Sequence, residues 1–169
     1  MTPPVVSIVA RSGTGKTTLL EKLIAELKGR GYRVGAIKHD AHSFSIDHEG
    51  KDSWRLTQAG AETMLITSPA KVAMVKMNRA GEEPELGETI ARYCRDLDIV
   101  LTEGFKRSTM PKIEVHRQEC QQALLCRGEE FDPHLFAVAA DTDLQLDVPV
   151  FDLNDAPGIC DLIVARFLT

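Results

Sequence analysis

The chain has 169 residues, enough for one domain with a small appendage, and is 43% hydrophobic, 27% charged and 5% aromatic, as ordinary globular proteins are. A net charge of −5 with no run of Lys and Arg forming a stripe argues against nucleic acid as the main partner, because affinity for a phosphate backbone needs a basic face, though it leaves room for a small basic pocket. Cys94, Cys120, Cys126 and Cys160 are scattered without a C-x-x-C pair, which argues for reduced thiols and against a disulfide framework or a zinc site.

The first residues carry no basic n-region and no apolar stretch reaches the length of a membrane span, so the expectation is a cytoplasmic protein without a signal peptide. Val5–Ala10 is a short β-branched run, read as a buried strand. A Gly-containing loop leads into a helix from Lys16, with Leu19, Leu20, Leu23, Ile24 and Leu27 on its apolar face and Glu21, Lys22, Glu26 and Lys28 turned to water. Gly29 and Gly31 stop it, and Val34–Ile37 follows as a second strand, completing a β-loop-α-β unit.

Lys38 to Gly50 is polar, without periodicity, and long for an idle loop. A short helix over 51–59 ends at Gly60, and Thr63–Thr67 and Lys71–Met77 read as strands of a hairpin turning at Ser68-Pro69-Ala70. The second of these strands is apolar on both faces. Either one face packs on the core and the other on a second subunit, or both are covered within one chain.

A helix opening near Gly81–Pro84 carries Leu86, Ile90, Tyr93, Cys94 and Leu97 at helical spacing. Strands are expected at Asp98–Thr102, Lys112–His116, Leu135–Ala139 and Val150–Leu153, with a weaker one near Ala123–Cys126. Pro157 opens a closing helix with Ile159, Leu162, Ile163 and Phe167 on one face. Alternating strands and helices predict an α/β layer architecture.

Three stretches carry chemistry. The first is Ser12-Gly13-Thr14-Gly15-Lys16-Thr17, between a strand and a helix. Glycines let backbone N–H groups curl inward around a phosphate, and the helix adds the positive end of its dipole. Lys16 places a charge between β- and γ-phosphates, and the Thr17 hydroxyl can ligate magnesium. The pattern G-x-x-x-x-G-K-[ST] is met except at its first glycine, replaced by Ala10, which is still small enough for the turn.

The second stretch is Asp98 to Gly104, with Glu103 at the C-terminal end of a strand, where open α/β sheets gather ligands. An acid there holds magnesium directly or through water, or polarises an attacking water. The third runs from Lys38, His39, Asp40 and His42 to Asp47, His48 and Ser53. Three histidines in ten residues raise a structural metal, but no H-x-x-x-H helix or partner cysteine supports one. The stretch reads better as a loop that meets the nucleotide or a second anionic ligand, with Asp47 or Asp40 near magnesium. Lys106, Arg107, Lys112 and Arg117 form either a second basic cluster or scattered surface charge.

With these stretches in hand, the chain resembles the MobB family, molybdopterin-guanine dinucleotide biosynthesis protein B, almost end to end. The residues that carry the resemblance are Ser12–Thr18; the pattern K-H-x-x-H-x-x-x-x-D-x-x-G-K-D-S from Lys38 to Ser53; Ala59-Gly60-Ala61; Glu103-Gly104-Phe105-Lys106; and the run from Pro111 to Arg117. The resemblance implies a P-loop NTPase-type, mostly parallel sheet flanked by helices. It also implies a small β-hairpin extension used in dimerisation, around 62–80 and 105–130 of a single domain spanning 1–169. It implies a GTP-binding homodimer with at most weak GTPase activity, acting as an adapter beside the molybdopterin guanylyltransferase and, further on, molybdoenzyme-specific chaperones. Magnesium, GTP and molybdopterin or its guanine dinucleotide are the implied ligands.

On that reading Lys16 and Glu103 serve hydrolysis, and Thr17, Asp47 and Glu103 hold magnesium. Ser12, Gly13, Thr14, Gly15, Lys16, Thr17, Thr18, Lys38, His39, His42, Lys106 and Asp141 bind the ligands. The N-K-x-D motif that grips guanine in many GTPases is absent, and Asp141, after the strand Leu135–Ala139, is the candidate for the base, with Asn154 and Asp155 after the last strand. Two other classes remain: a small-molecule kinase using the same loop, with the Lys106–Arg107 stretch as part of a lid, and an ATP-binding partner protein without turnover.

Overall fold

The computed structural model describes residues 2–39, 44–78, 83–120, 123–128 and 130–168. Its elements in chain order are β1 (Val5–Val9), α1 (Lys16–Gly29), β2 (Val34–Lys38), α2 (Asp52–Gln58), β3 (Thr63–Thr67), β4 (Val72–Lys76), α3 (Leu86–Tyr93), β5 (Ile99–Glu103), β6 (Lys112–His116), β7 (Leu135–Ala140), β8 (Val150–Asp152) and α4 (Ala156–Phe167). The chain divides into two units, one of residues 1–39 with 89–169 and one of residues 40–88.

The larger unit is built on a six-stranded sheet in the order β2-β5-β1-β6-β7-β8, parallel throughout. The chain moves out from β1 to β2 on one side and to β6 on the other, so the order reverses at β1. At such a switch point the loops leaving neighbouring strands part and open a crevice at the C-terminal edge. Strand β1 has all five residues buried, as a central parallel strand covered on both faces requires.

One face of the sheet (Val6, Ile8, Leu101, Ile113, Val115, Ala137) is covered by α1 and α4, through Leu19, Leu20, Leu23 and Leu27 of the first and Ile159, Cys160 and Ile163 of the second. Full burial of one such leucine stabilises the fold by about 1.5–3 kcal/mol, so these seven side chains fix where α1 begins relative to β1. Val9, Leu135, Val138 and Ala140 on the opposite face pack with Leu124 and Cys126 from a loop. Ser7 and Thr102 are fully buried on adjacent strands, where Thr102 Oγ1 donates to Ser7 Oγ at 2.9 Å.

The weak strand expected at Ala123–Cys126 does not form. Its backbone donors go to a side chain instead: Glu114 of β6, buried, accepts from Leu125 N at 2.6 Å and Cys126 N at 2.9 Å. Burial and then the adjacent Glu114 charge push the Cys126 thiol up to about 12, which keeps it inert. Lys112 also departs from its expected place in a surface basic cluster. It is fully buried on β6, with Nζ 2.8 Å from Asp132 Oδ2 and donating to Ser108 O. The segment 105–130 therefore contributes a strand to the central sheet.

The smaller unit contains α2 and the antiparallel pair β3–β4, in register Thr63↔Lys76 to Thr67↔Val72. Leu65, Ile66, Val72 and Met77 are exposed along it, while Met64 is buried. Helix α3 is shorter than its apolar spacing predicts, ending at Tyr93, which is exposed, with Cys94 buried just beyond.

Glu114→Ala removes a buried acceptor from two backbone amides. We expect a loss of about 2–3 kcal/mol, the scale of charge-assisted hydrogen bonds left unmade. Glu119→Ala, on an exposed carboxylate 3.9 Å from Arg117, serves as the control with little effect. Urea unfolding of both variants checks this, and equal midpoints would show that Glu114 does not hold the loop.

Candidate nucleotide-binding site

The chain leaves β1 at Ala10, which is fully buried, and turns through residues 11–15 into α1. Ala10 thus meets the steric demand usually met by glycine. Gly13 and Gly15 adopt φ of +82° and +90°, a region open to glycine and costly for other residues. Thr14 Oγ1 and Lys16 Nζ both donate to Arg11 O, at 3.0 and 3.1 Å, closing the loop on itself. Ser12, Gly13, Thr17 and Thr18 lie exposed around it.

Both neighbours of β1 deliver a charged residue to this loop. From the end of β5, Glu103 Oε2 accepts from Thr17 Oγ1 at 3.0 Å, and its Oε1 lies 4.0 Å from Lys38 Nζ at the end of β2. From just past β6, Arg117 Nε donates to Thr14 O at 2.9 Å, and its guanidinium stands 3.4 Å from where a Gly15 Cβ would be. Burial pushes the Lys16 ammonium down from its ordinary value; Glu103 opposes this, and Lys106 and Lys38 add to it. Lys38 and Lys106 therefore stand near Lys16 with Glu103 as counter-charge, a charge balance suited to a polyanion.

After Glu103 the backbone takes two left-handed residues, Gly104 at φ +97° and Phe105 at +53°. Gly104 N donates to Ile8 O, His39 N donates to Glu103 O, and the His39 and Phe105 rings meet at 4.9 Å. His39 thus sits beside the acid, tied to the strand that bears it.

A cleft of about 120 Å³ opens beside Gly15, lined by Thr18, Lys22, Arg117, Asp141, Asp152 and Asn154, with Leu19 and Leu153 beneath. Asp141, just past β7, accepts from Gln118 N at 2.9 Å and lies 4.0 Å from Arg117 Nη1. Asp155 is not free for a ligand: it caps α4, its Oδ1 accepting from Gly158 N at 3.0 Å. Lys22, read from the sequence as water-facing, turns to Asn154 Oδ1 at 2.7 Å. Its spacing from Thr18 by four residues was the only clue to that side of the helix.

Asp47 belongs to the smaller unit. Its Oδ1 accepts from His48 N and Ser53 Oγ, at 2.8 and 2.9 Å, while Oδ2 is buried with no partner among the described residues. Asp40 and His42 lie outside the described residues. Among the described residues no group of three His, Cys, Asp or Glu is placed to hold a metal, and no helix is long and apolar enough to cross a membrane.

Residues 5–141 match the family model of molybdopterin guanine dinucleotide synthesis protein B. The chain belongs to that family. It is similar to the molybdopterin-guanine dinucleotide biosynthesis adapter protein of Haemophilus influenzae, 41% identical over 161 residues, covering 95% of this chain and 87% of the relative. The adapter protein of Escherichia coli is 41% identical over 164 residues, covering 95% and 91%. A crystal structure of molybdopterin-guanine biosynthesis protein B superposes with a TM-score of 0.75 at 28% identity, over 95% of this chain and 98% of that one. Membership in the family agrees with the mostly parallel sheet, its flanking helices and the separate hairpin.

Gly15→Ala forces a side chain into the left-handed region at about 1–2 kcal/mol and against Arg117. We expect weaker triphosphate binding by at least about tenfold together with a lower Tm. Gly29→Ala, at a helix end with nothing within 4 Å, is the control, neutral or slightly stabilising. Calorimetric titration and thermal unfolding read both; a Gly15→Ala protein that binds like wild type would remove the loop from the site.

Proposed function

We propose that this chain is a GTP-binding adapter in molybdopterin guanine dinucleotide synthesis, with slow GTP hydrolysis as its only chemistry. The observation that carries the reading is the phosphate loop, held from both sides by Glu103 and Arg117 and continuous with a polar cleft of a size and composition suited to a nucleobase. The β- and γ-phosphates lie along Gly13 to Thr17, with Lys16 between them and Thr18 at the helix start. Lys38, His39 and Lys106 extend the positive field past the γ-phosphate. That is where a second anion, the phosphate of molybdopterin or its guanine dinucleotide, would be drawn.

Thr17 Oγ1 and Glu103 Oε2 are hard oxygen donors 3.0 Å apart, so this pair fits magnesium. Bound between these two residues, magnesium would supply charge neutralisation for a triphosphate. Glu103 is already engaged by a hydroxyl and faces a lysine, which leaves it poorly placed as a base for water. Slow turnover follows, as suits a carrier or switch. Asp141 offers carboxylate oxygens to a base in the cleft, and guanine presents its N1–H and 2-amino donors to such a group.

The partners on this reading are a molybdopterin guanylyltransferase, a second copy of the chain and, downstream, molybdoenzyme-specific chaperones. The exposed Leu65, Ile66 and Val72 of the hairpin support a dimer contact.

Lys16→Ala is expected to abolish GTP binding, since no other residue places a charge between the phosphates. Near-wild-type affinity in calorimetry would overturn the phosphate-loop reading. Asp141→Asn is expected to reduce the preference for GTP over ATP by about tenfold, and an unchanged preference would remove Asp141 from the base site. Labelled GTP, incubated with the protein, a molybdopterin source and the guanylyltransferase, tests the pathway. Stimulated dinucleotide formation supports it, whereas phosphoryl transfer to a small acceptor would make the protein a kinase.

A further inference from the structure

Lys22 is one of the cleft's cations, yet it is the only one of them bonded to a neutral side chain among the described contacts: its Nζ donates to Asn154 Oδ1 at 2.7 Å. The asparagine backbone is fixed too, since Asn154 N donates to Asp152 Oδ1 at 2.8 Å in the turn after β8. An ammonium has donors and no acceptor, so the amide atom it meets is the oxygen. With that oxygen committed, the Nδ2–H2 group is the half of the amide left for a ligand in the cleft that both residues line.

We propose that Lys22 is a specificity-determining positioning residue that holds Asn154 as a donor towards O6 of guanine. The inference rests on the guanine reading above. The Watson–Crick edge of guanine offers an acceptor at O6 and donors at N1 and the 2-amino group; adenine offers a donor where guanine has O6. A cleft with an amide donor from Asn154 and carboxylate acceptors from Asp141 is complementary to the first and sets donor against donor for the second. An unrestrained asparagine would turn its amide over and accept from adenine at little cost. Lys22 removes that freedom, because the flip would aim the amide N–H groups at an ammonium. Asp141 is restrained in the same manner, by Gln118 N at 2.9 Å and by Arg117.

The test compares GTP, inosine triphosphate and ATP on the full chain, for wild type, Lys22→Met and Asn154→Asp, by calorimetric titration. Methionine keeps the aliphatic stem that lies on α1 and loses only the donor. Lys22→Met is expected to narrow the GTP-to-ATP preference by about fivefold, the scale of one hydrogen bond, chiefly through tighter ATP binding. Asn154→Asp is expected to weaken GTP and inosine triphosphate alike, because both carry O6, and to favour ATP. Thermal unfolding verifies that both variants fold. A GTP-preferring wild type whose ratios are unchanged in both variants, or equal losses for all three nucleotides, would overturn the role of Lys22 alone. A wild type that binds ATP as well as GTP would overturn the guanine reading and this inference with it.

Discussion

Strand β1 is buried on both faces and bonded to a parallel neighbour on each edge, and that confinement sets the rest of the site. A chain leaving such a strand can only rise above the C-terminal edge, and α1 can only return over the face where its four leucines are covered. The turn between them must then be tight, which selects Ala10 and the two left-handed glycines. Because β5 and β6 run parallel to β1, their ends emerge at the same level. Glu103 and Arg117 therefore reach the loop from opposite sides without any long connection. A mixed sheet would have sent one of them to the far edge.

The sheet interior spends several polar residues on holding loops in place. Glu114 binds two amides of the 123–128 loop, and Lys112 binds Asp132 and Ser108 O. Buried charges of this kind cost several kcal/mol to desolvate and are tolerated only when every partner is in position. Here the partners come from the loops that cover the face of the sheet opposite α1 and α4. On that face Leu124 and Cys126 of the anchored loop pack on Val9, Leu135, Val138 and Ala140.

The glycine-rich loop after β1, the acid at the end of β5 and most strand positions were legible because each depends on short-range pattern: β-branched runs, a glycine-rich turn, an apolar helical stripe. Lys112, Glu114 and Lys22 were not, and the reason is common to all three. A charged residue inside an alternating strand reads as the exposed half of the pattern, and one on a helix face reads as solvent-facing, unless its partner is known. Those partners, Asp132, Leu125 N and Asn154, lie 11 to 132 residues away along the chain. The expected strand at Ala123–Cys126 failed for the same cause, since a side-chain acceptor from β6 took the amides that a ladder would have used. Family resemblance reached further than periodicity, grouping Lys38 and Lys106 with the loop, and both stand close enough to Lys16 to act on its charge.

The electrostatics of Lys16 connect the loop to affinity. Its ammonium is partly withdrawn from water and stands near two other lysines, both unfavourable for a cation, with Glu103 as the nearby counter-charge. Its bond to Arg11 O, a neutral carbonyl, offsets little of that cost. On the proposed reading, a triphosphate would replace the carbonyl with charged oxygens and turn the repulsion among Lys16, Lys38 and Lys106 into attraction for one ligand. The loop is thus closed in a shape close to the one a phosphate needs, but with its charge uncompensated. Binding on that reading would gain electrostatic energy without having to order the backbone. The chain as a whole is acidic, at −5, so this gain is local, and it falls off within a Debye length of the loop. On the same reading, recognition of a base in the neighbouring cleft needs little energy of its own and would still decide which nucleotide is held.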